Sequence, residues 1–280
     1  LTLMSNLINV AAIQLKPASS LEDNLTNVAA LLSEAAAAGA QLAVLPENFA
    51  HYGQKDFTAI GLQESTDDGP VRQFLADQAR LNGLWLVGGS LPILDAEPLP
   101  FARSLLFDPE GNTVGQYDKI HLFDVDVSEG TAEARSYKES DDFASGTDVV
   151  VATTALCTLG MTVCYDLRFA ELYRKLADEG AQIITVPAAF TAATGKDHWQ
   201  VLLRARAIEN QVFVVGANLV DRDHPSRGLW GGSVIIDPWG TVLASLDGDE
   251  AGVIRAEIDL DMINELRAKM PIDAHRKLLI

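Results

Sequence analysis

The pattern Asp-Pro-x-Gly occurs twice between apolar stretches of this chain, as Leu106-Phe-Asp-Pro-Glu-Gly-Asn-Thr113 and as Ile235-Ile-Asp-Pro-Trp-Gly-Thr-Val242. Proline presets φ inside a turn and glycine accepts a positive φ, so each copy predicts a β-hairpin. Two copies of one hairpin, far apart in sequence, imply two similar half-sheets. Around them strand-like and helix-like segments alternate, which favours a layered α/β protein over an all-β one. Residues 7–15 read as a buried strand, and Ser19 with Glu22 predicts a capping box for a helix running towards Gly39. Leu42, Val44 and Leu45 make a second strand ending at Pro46-Glu47. Residues 71–81 read as a helix before the apolar run 84–91. In the C-terminal half, strands at 182–186 and 212–217 flank a helix over 198–210, with apolar spacing at Val201, Leu202, Ala205 and Ile208. The simplest arrangement is two sheets packed face to face with helices outside, not one doubly wound sheet.

The size fits one unit. A chain of 280 residues, 48% hydrophobic and 21% charged, can bury one large core, and a single domain over residues 4–280 is expected. Residues 1–3 precede Met4, where the natural start is expected, and are left out of the fold reading. The net charge of −18 argues against nucleic-acid or anionic-membrane partners, both of which attract Lys/Arg clusters. Two cysteines, no basic-led apolar leader and no apolar run near 18 residues predict a reducing compartment, with cytoplasm as the default.

The stretch Met161-Thr-Val-Cys-Tyr-Asp-Leu-Arg-Phe169 puts a thiol where a strand gives way to a helix. Leu159, Met161 and Val163 alternate like a strand, whereas Phe169, Leu172, Tyr173 and Leu176 fall at helical spacing before Gly180. Backbone N–H groups at such a turn can stabilise a thiolate, although free cysteine is also among the most buried residue types. A nucleophilic thiol needs a base. The five histidines offer none by spacing or setting, so a Cys-His site is unsupported. Glu47 emerges at a strand end, where a carboxylate is either a base or an ordinary surface charge. Lys119 lies at the end of the first hairpin, either as part of a site or paired with Asp118 or Asp124. Cys157 and Cys164 lack metal-ligand spacing, and no phosphate-binding glycine loop is present, so neither a metal nor a nucleotide cofactor is expected.

Three ordered motifs carry a family resemblance. Leu45-Pro-Glu47, Lys119-Ile-His-Leu-Phe-Asp124 and Val163-Cys-Tyr-Asp-Leu-Arg-Phe169 resemble the Glu, Lys and Cys signatures of the nitrilase (carbon-nitrogen hydrolase) superfamily. The match continues through Pro187-Ala-Ala-Phe190, Gly195-Lys-Asp-His-Trp199, residues 202–210 and Asp237-Pro-Trp-Gly240, and is nearest to the Nit branch of amidases. The resemblance implies a four-layer α-β-β-α sandwich of two mixed sheets, no cofactor, and association into homodimers. It implies that Cys164 attacks an amide carbonyl, Glu47 carries the proton, and Lys119 with the backbone N–H of Tyr165 holds the oxyanion. Glu139 is the further glutamate beside this triad, and Arg168, Phe190 and Thr194 match substrate-binding positions. The expected substrate is a small carboxylate-bearing amide, such as an ω-amide of a 2-oxo acid or deaminated glutathione. The alternatives are an N-carbamoyl amino acid and, in a different class, a catalytically idle scaffold. Arg168 paired structurally with Glu171 is the other reading of that residue. Two positions depart from the family pattern: Ala170 stands where proline is usual, and Gly231-Gly232-Ser233 where Gly-His-Ser is frequent.

Overall fold

Strand β1 (Leu7–Gln14) is buried on both faces. Successive side chains of a strand point to opposite sides. Ile8, Val10 and Ala12 therefore join one apolar cluster, and Ala11 and Ile13 join a second. These two clusters are the two interfaces on either side of the first sheet. The computed structural model describes residues 6–127, 135–224 and 227–278; residues 1–3, and the expected start at Met4, lie outside them.

The remaining strands of the first sheet are β2 (Leu42–Val44), β3 (Trp85–Val87), β4 (Leu91–Ile93), β5 (Phe101–Phe107) and β6 (Thr113–Asp118). Next along the chain come a hairpin of β7 (Asp124–Val127) and β8 (Arg135–Lys138), then β9 (Val151–Thr153), β10 (Thr158–Met161), β11 (Ile183–Ala188) and β12 (Phe213–Asn218). A small pair, β13 (Val220–Asp221) and β14 (Leu229–Trp230), precedes β15 (Ser233–Ile236), β16 (Val242–Leu246) and β17 (Gly252–Asp259). The first sheet runs β17-β1-β2-β3-β5-β4, with β6 on the free side of β5. The second runs β16-β15-β12-β11-β10-β9. Each is mixed: β1, β2 and β3 are parallel, as are β10, β11 and β12, while their outer partners are antiparallel.

Both predicted hairpins form, as β5–β6 and β15–β16, with one turn geometry. The Asp108 carboxylate accepts from the N–H of Glu110 and Asn112, and Asp237 accepts in the same way from Trp239 and Thr241. Gly111 and Gly240 take the positive φ, at 82° and 87°.

Helices α1 (Leu21–Ala37) and α3 (Pro70–Asn82) cover the outer face of the first sheet through Val28, Leu32, Val71 and Leu75. Between them in sequence lies the short α2 (Phe57–Gln63). Helices α4 (Ala170–Asp178) and α5 (Ala192–Asn210) cover the second sheet through Leu172, Leu176, Leu203 and Ala207. The layers are therefore α-β-β-α, with the two sheets meeting at residues such as Val10, Val44, Met161 and Val186. The chain ends in α6 (Asp261–Lys269) and α7 (Ile272–His275). No helix among the described residues is long and apolar enough to cross a membrane.

Three local expectations shift. The α1 cap is Ser20 and not Ser19: the Asp23 N–H donates to Ser20 Oγ at 3.0 Å, so the box sits one residue later. The apolar run 84–91 is two strands, not one, because Gly88 and Gly89 break it, Gly89 at φ 65°. Helix α5 starts at Ala192, capped by Thr191, nearly two turns before the expected position.

Candidate active site

Three loops from the two sheets converge where the sandwich opens. Glu47 stands three residues beyond β2, Lys119 follows β6, and Cys164 lies three residues beyond β10. The structure brings Glu47, Lys119, Cys164 and Glu139 together. Lys119 Nζ donates to Glu47 Oε1 at 2.7 Å and to both Glu139 oxygens at 2.9 and 2.8 Å. At 1% exposure Lys119 is not the surface lysine that its flanking aspartates allowed. The second Glu47 oxygen accepts from the Ala189 N–H at 2.9 Å, and the Cys164 thiol lies beside the Glu47 carboxylate. Glu139 is held by the Phe123 N–H at 2.6 Å.

These contacts set the protonation states. Burial alone would raise the Glu47 pKa, but the Lys119 ammonium, the thiol and the Ala189 N–H reverse this and hold it below the usual glutamate range. Burial likewise works against the charge on Lys119, and Glu139 and Glu47 overcome it, so the lysine stays an ammonium. Cys164 goes the other way: burial first, then the neighbouring Glu47 charge, push its thiol well above the ordinary value. The resting pair is a thiol beside a carboxylate. Cys157, buried just before β10, is raised to about 12 by burial, against a Thr154 hydrogen bond that lowers it.

Cys164 has φ 49°, a left-handed conformation that costs a residue with a Cβ about 1–2 kcal/mol. Asp166 holds the turn. Its fully buried carboxylate accepts from the Val163 N–H at 2.8 Å, the Tyr117 hydroxyl at 2.7 Å and the His121 N–H at 3.1 Å, and lies 2.7 Å from His121 Nδ1. Tyr117 and His121 flank Lys119 in sequence, so one carboxylate ties the lysine loop to the cysteine turn. The Tyr165 N–H is the next backbone donor after the thiol, in the 3-10 turn Cys164–Arg168. The Ala170 departure is structurally mild: it is the first residue of α4, where proline is favoured because that N–H has no helical partner. Gly232 sits at φ 69°, with its carbonyl accepting from Trp199 Nε1 at 2.7 Å, a backbone shape that suits glycine better than histidine.

A cavity of about 290 Å³ opens over the thiol. Phe190 and Thr194 line it, with the rings of Tyr52, Phe123, Tyr137 and Tyr165. Arg168 is not among the lining residues: its guanidinium packs 5.4 Å from the Phe190 ring centroid and 5.6 Å from that of Tyr165, with Nη1 3.2 Å from His198 Nδ1. Arg227 does line the cavity. It lies in a polar stretch with no motif, so no side-chain pattern marks it. Ala189 acts through its backbone, for which a side-chain pattern carries no signal.

Residues 9–268 match the carbon-nitrogen hydrolase family. The chain is 38% identical over 276 residues to deaminated glutathione amidase of Yersinia enterocolitica, covering 97% of this chain and 93% of that relative. It is 37% identical over 243 residues to omega-amidase NIT2 of Homo sapiens, covering 86% and 85%. Among solved structures, Saccharomyces cerevisiae Nit3, a member of branch 10 of the nitrilase superfamily, aligns with a TM-score of 0.85 at 28% identity over 97% of both chains. With the Glu-Lys-Cys cluster at the mouth of an α-β-β-α sandwich and these relatives along nearly its whole length, the chain belongs to the carbon-nitrogen hydrolase family.

Proposed function

We propose that residues 4–280 form one catalytic domain that hydrolyses the C–N bond of a small carboxylate-bearing amide through a thioester on Cys164. The leading class is an ω-amide of a 2-oxo acid or of the deaminated glutathione type. The observation that carries this reading is a buried thiol beside a Glu47 carboxylate that Lys119 and the Ala189 N–H hold, all at one cavity. As Cys164 Sγ attacks the carbonyl carbon, its proton passes to Glu47, and the carbonyl oxygen becomes an oxyanion held by Lys119 and the Tyr165 N–H. Collapse expels the amine, which leaves as ammonia after taking the proton from Glu47. Glu47 then takes a proton from water, whose oxygen attacks the thioester, and returns it to the departing sulfur; the acid product leaves. Glu139 keeps Lys119 charged and oriented throughout. Phe190 and Thr194, with Arg168 stacked on Phe190, shape the acyl side.

The volume supports a small acyl group, since it lies at the lower end of ligand sites, about 300–1,000 Å³. A cytoplasmic homodimer completes the proposal. Val201 and Ile208 on α5 and Trp239 at the second hairpin tip are exposed, and the Arg204 Nε bond to the Gly240 carbonyl at 2.8 Å holds them in one apolar patch that a second copy would cover. Sedimentation measures the dimer directly. The function is tested by ammonia release from a panel of amides, carbamoyl amino acids and nitriles. Turnover of amides by wild type and Cys157→Ser, and none by a folded Cys164→Ala, is expected; equal rates for Cys164→Ala and wild type would sink the mechanism.

A further inference from the structure

Three cations line the cavity, and two already have carboxylate partners. Lys119 is shared between Glu47 and Glu139, and Lys138, exposed at the rim, lies 3.7 Å from Asp141. Arg227 is different. Its guanidinium is half-buried in the wall among three rings, 5.8 Å from the centroid of Tyr52, 5.7 Å from Phe123 and 5.3 Å from Tyr137. Nη2 donates to the Ala189 carbonyl at 3.3 Å, and no carboxylate among the described residues pairs with it. A guanidinium carries five N–H donors in a planar fork, and ring faces satisfy its charge only in part. A cation drawn out of water in this way is costly until an anion meets it.

The position of that anion follows from one residue. The Ala189 N–H holds Glu47 Oε2 and the Ala189 carbonyl holds Arg227 Nη2, so base and guanidinium are tethered to the two peptide groups that flank a single Cα. A group bound by Arg227 and an amide carbon facing Cys164 therefore belong to one short molecule. The charge environment agrees: burial works against the Arg227 charge, and the Tyr52 phenol, Glu47 and Cys164 more than restore it.

We propose that Arg227 reads the substrate's carboxylate, with a bidentate fork closing on the end of the acyl chain remote from the scissile amide. This rests on the amidase reading above and assigns the specificity of that same site. Arg168, whose guanidinium faces the Phe190 and Tyr165 rings outside the lining, is not the reader.

The test compares succinamate with its methyl ester, which differs chiefly in charge, by kcat/KM for ammonia release. Removing a charge-assisted hydrogen-bonded contact is expected to cut the acid-over-ester preference about 10- to 100-fold in Arg227→Ala. Arg227→Lys, which keeps the charge and loses the fork, should recover only part of it, and Arg168→Ala, which loosens Phe190, should change kcat/KM for acid and ester alike and leave their ratio as in wild type. Preserved preference in Arg227→Ala, loss of it in Arg168→Ala alone, or no preference in wild type overturns the assignment and leaves the amidase reading standing. Succinate binding by calorimetry gives a readout independent of turnover. If wild type releases no ammonia from any amide, the amidase reading fails on its own. Weaker succinate binding in Arg227→Ala and Arg227→Lys than in wild type then still supports the carboxylate site, and equal binding rejects it.

Discussion

Lys119 is one buried cation between two carboxylates, and this sets what its loss should do. Its charge matters most when the carbonyl oxygen becomes anionic, so Lys119→Met should lower kcat far more than it raises KM. Removal of one oxyanion donor costs about 2.7–4 kcal/mol, or roughly 10²–10³ in rate. Near-normal kcat in steady-state assays would return Lys119 to a structural role. The pH profile gives a second check. The proposed mechanism requires ionised Glu47, so the rate should fall as pH drops through its folded pKa, which lies below the usual 4.5. Where residual Lys119→Met activity is measurable, the acid limb should move up in pH, because Glu47 has lost the ammonium that lowered it. Glu47, Lys119 and Cys164 were legible in the sequence because chemistry demands those side chains in ordered motifs. Ala189 and Arg227 were not: one contributes only peptide atoms, and the other reaches the cavity from a loop whose path no local pattern dictates.

The cysteine turn and the lysine loop are separate elements joined through Asp166. Replacing Asp166 by alanine strands the Tyr117 hydroxyl and the N–H groups of Val163 and His121 in a buried setting, at about 1–3 kcal/mol each. A loss of at least about 3 kcal/mol in urea unfolding is expected, with lower kcat in whatever folds. At the start of α5, a Cβ on Gly195 would run into Cγ and Cβ of Trp230. Alanine gains about 1 kcal/mol over glycine in a helix, but crowding a packed ring costs about 1–3 kcal/mol. Gly195→Ala should therefore lower Tm despite its better helix propensity; a higher Tm would show that Trp230 moves freely. Elements were legible where periodicity and punctuation agree, as in α3, which begins at Pro70 and ends at Gly83 with φ 62°. Adjacent Ser19 and Ser20 defeat such reading, since both precede an acidic residue at the same spacing and only the chain's path selects Ser20.

For the molecule as a whole, burial of His51 makes stability depend on pH. Desolvation lowers its pKa to about 4, and Nε2 has no partner among the described residues. Between the usual 6.5 and that value the unfolded chain holds a proton that the folded chain does not, so stability rises with pH across this window. From pH 6.5 down to 5 this amounts to up to about 2 kcal/mol. His51→Gln should flatten the urea-midpoint profile by that amount, and an unchanged slope would assign the acid sensitivity to other groups. The four layers could be anticipated from alternating elements and the repeated hairpin, but the pairing of β17 with β1 could not. It joins residues 240 to 252 positions apart, from Leu7↔Asp259 to Ile13↔Val253, and nothing local specifies such a partner.

The loops bearing Glu47 and Cys164 come from different sheets, and the two side chains meet only because the sheets stack at one particular offset. Turnover is thus a vernier on the alignment of the two halves. A slip of a fraction of an ångström between the sheets, too small to expose the core or alter circular dichroism, would part the acid from the thiol. In gentle denaturant, ammonia release should fade before any spectroscopic sign of unfolding.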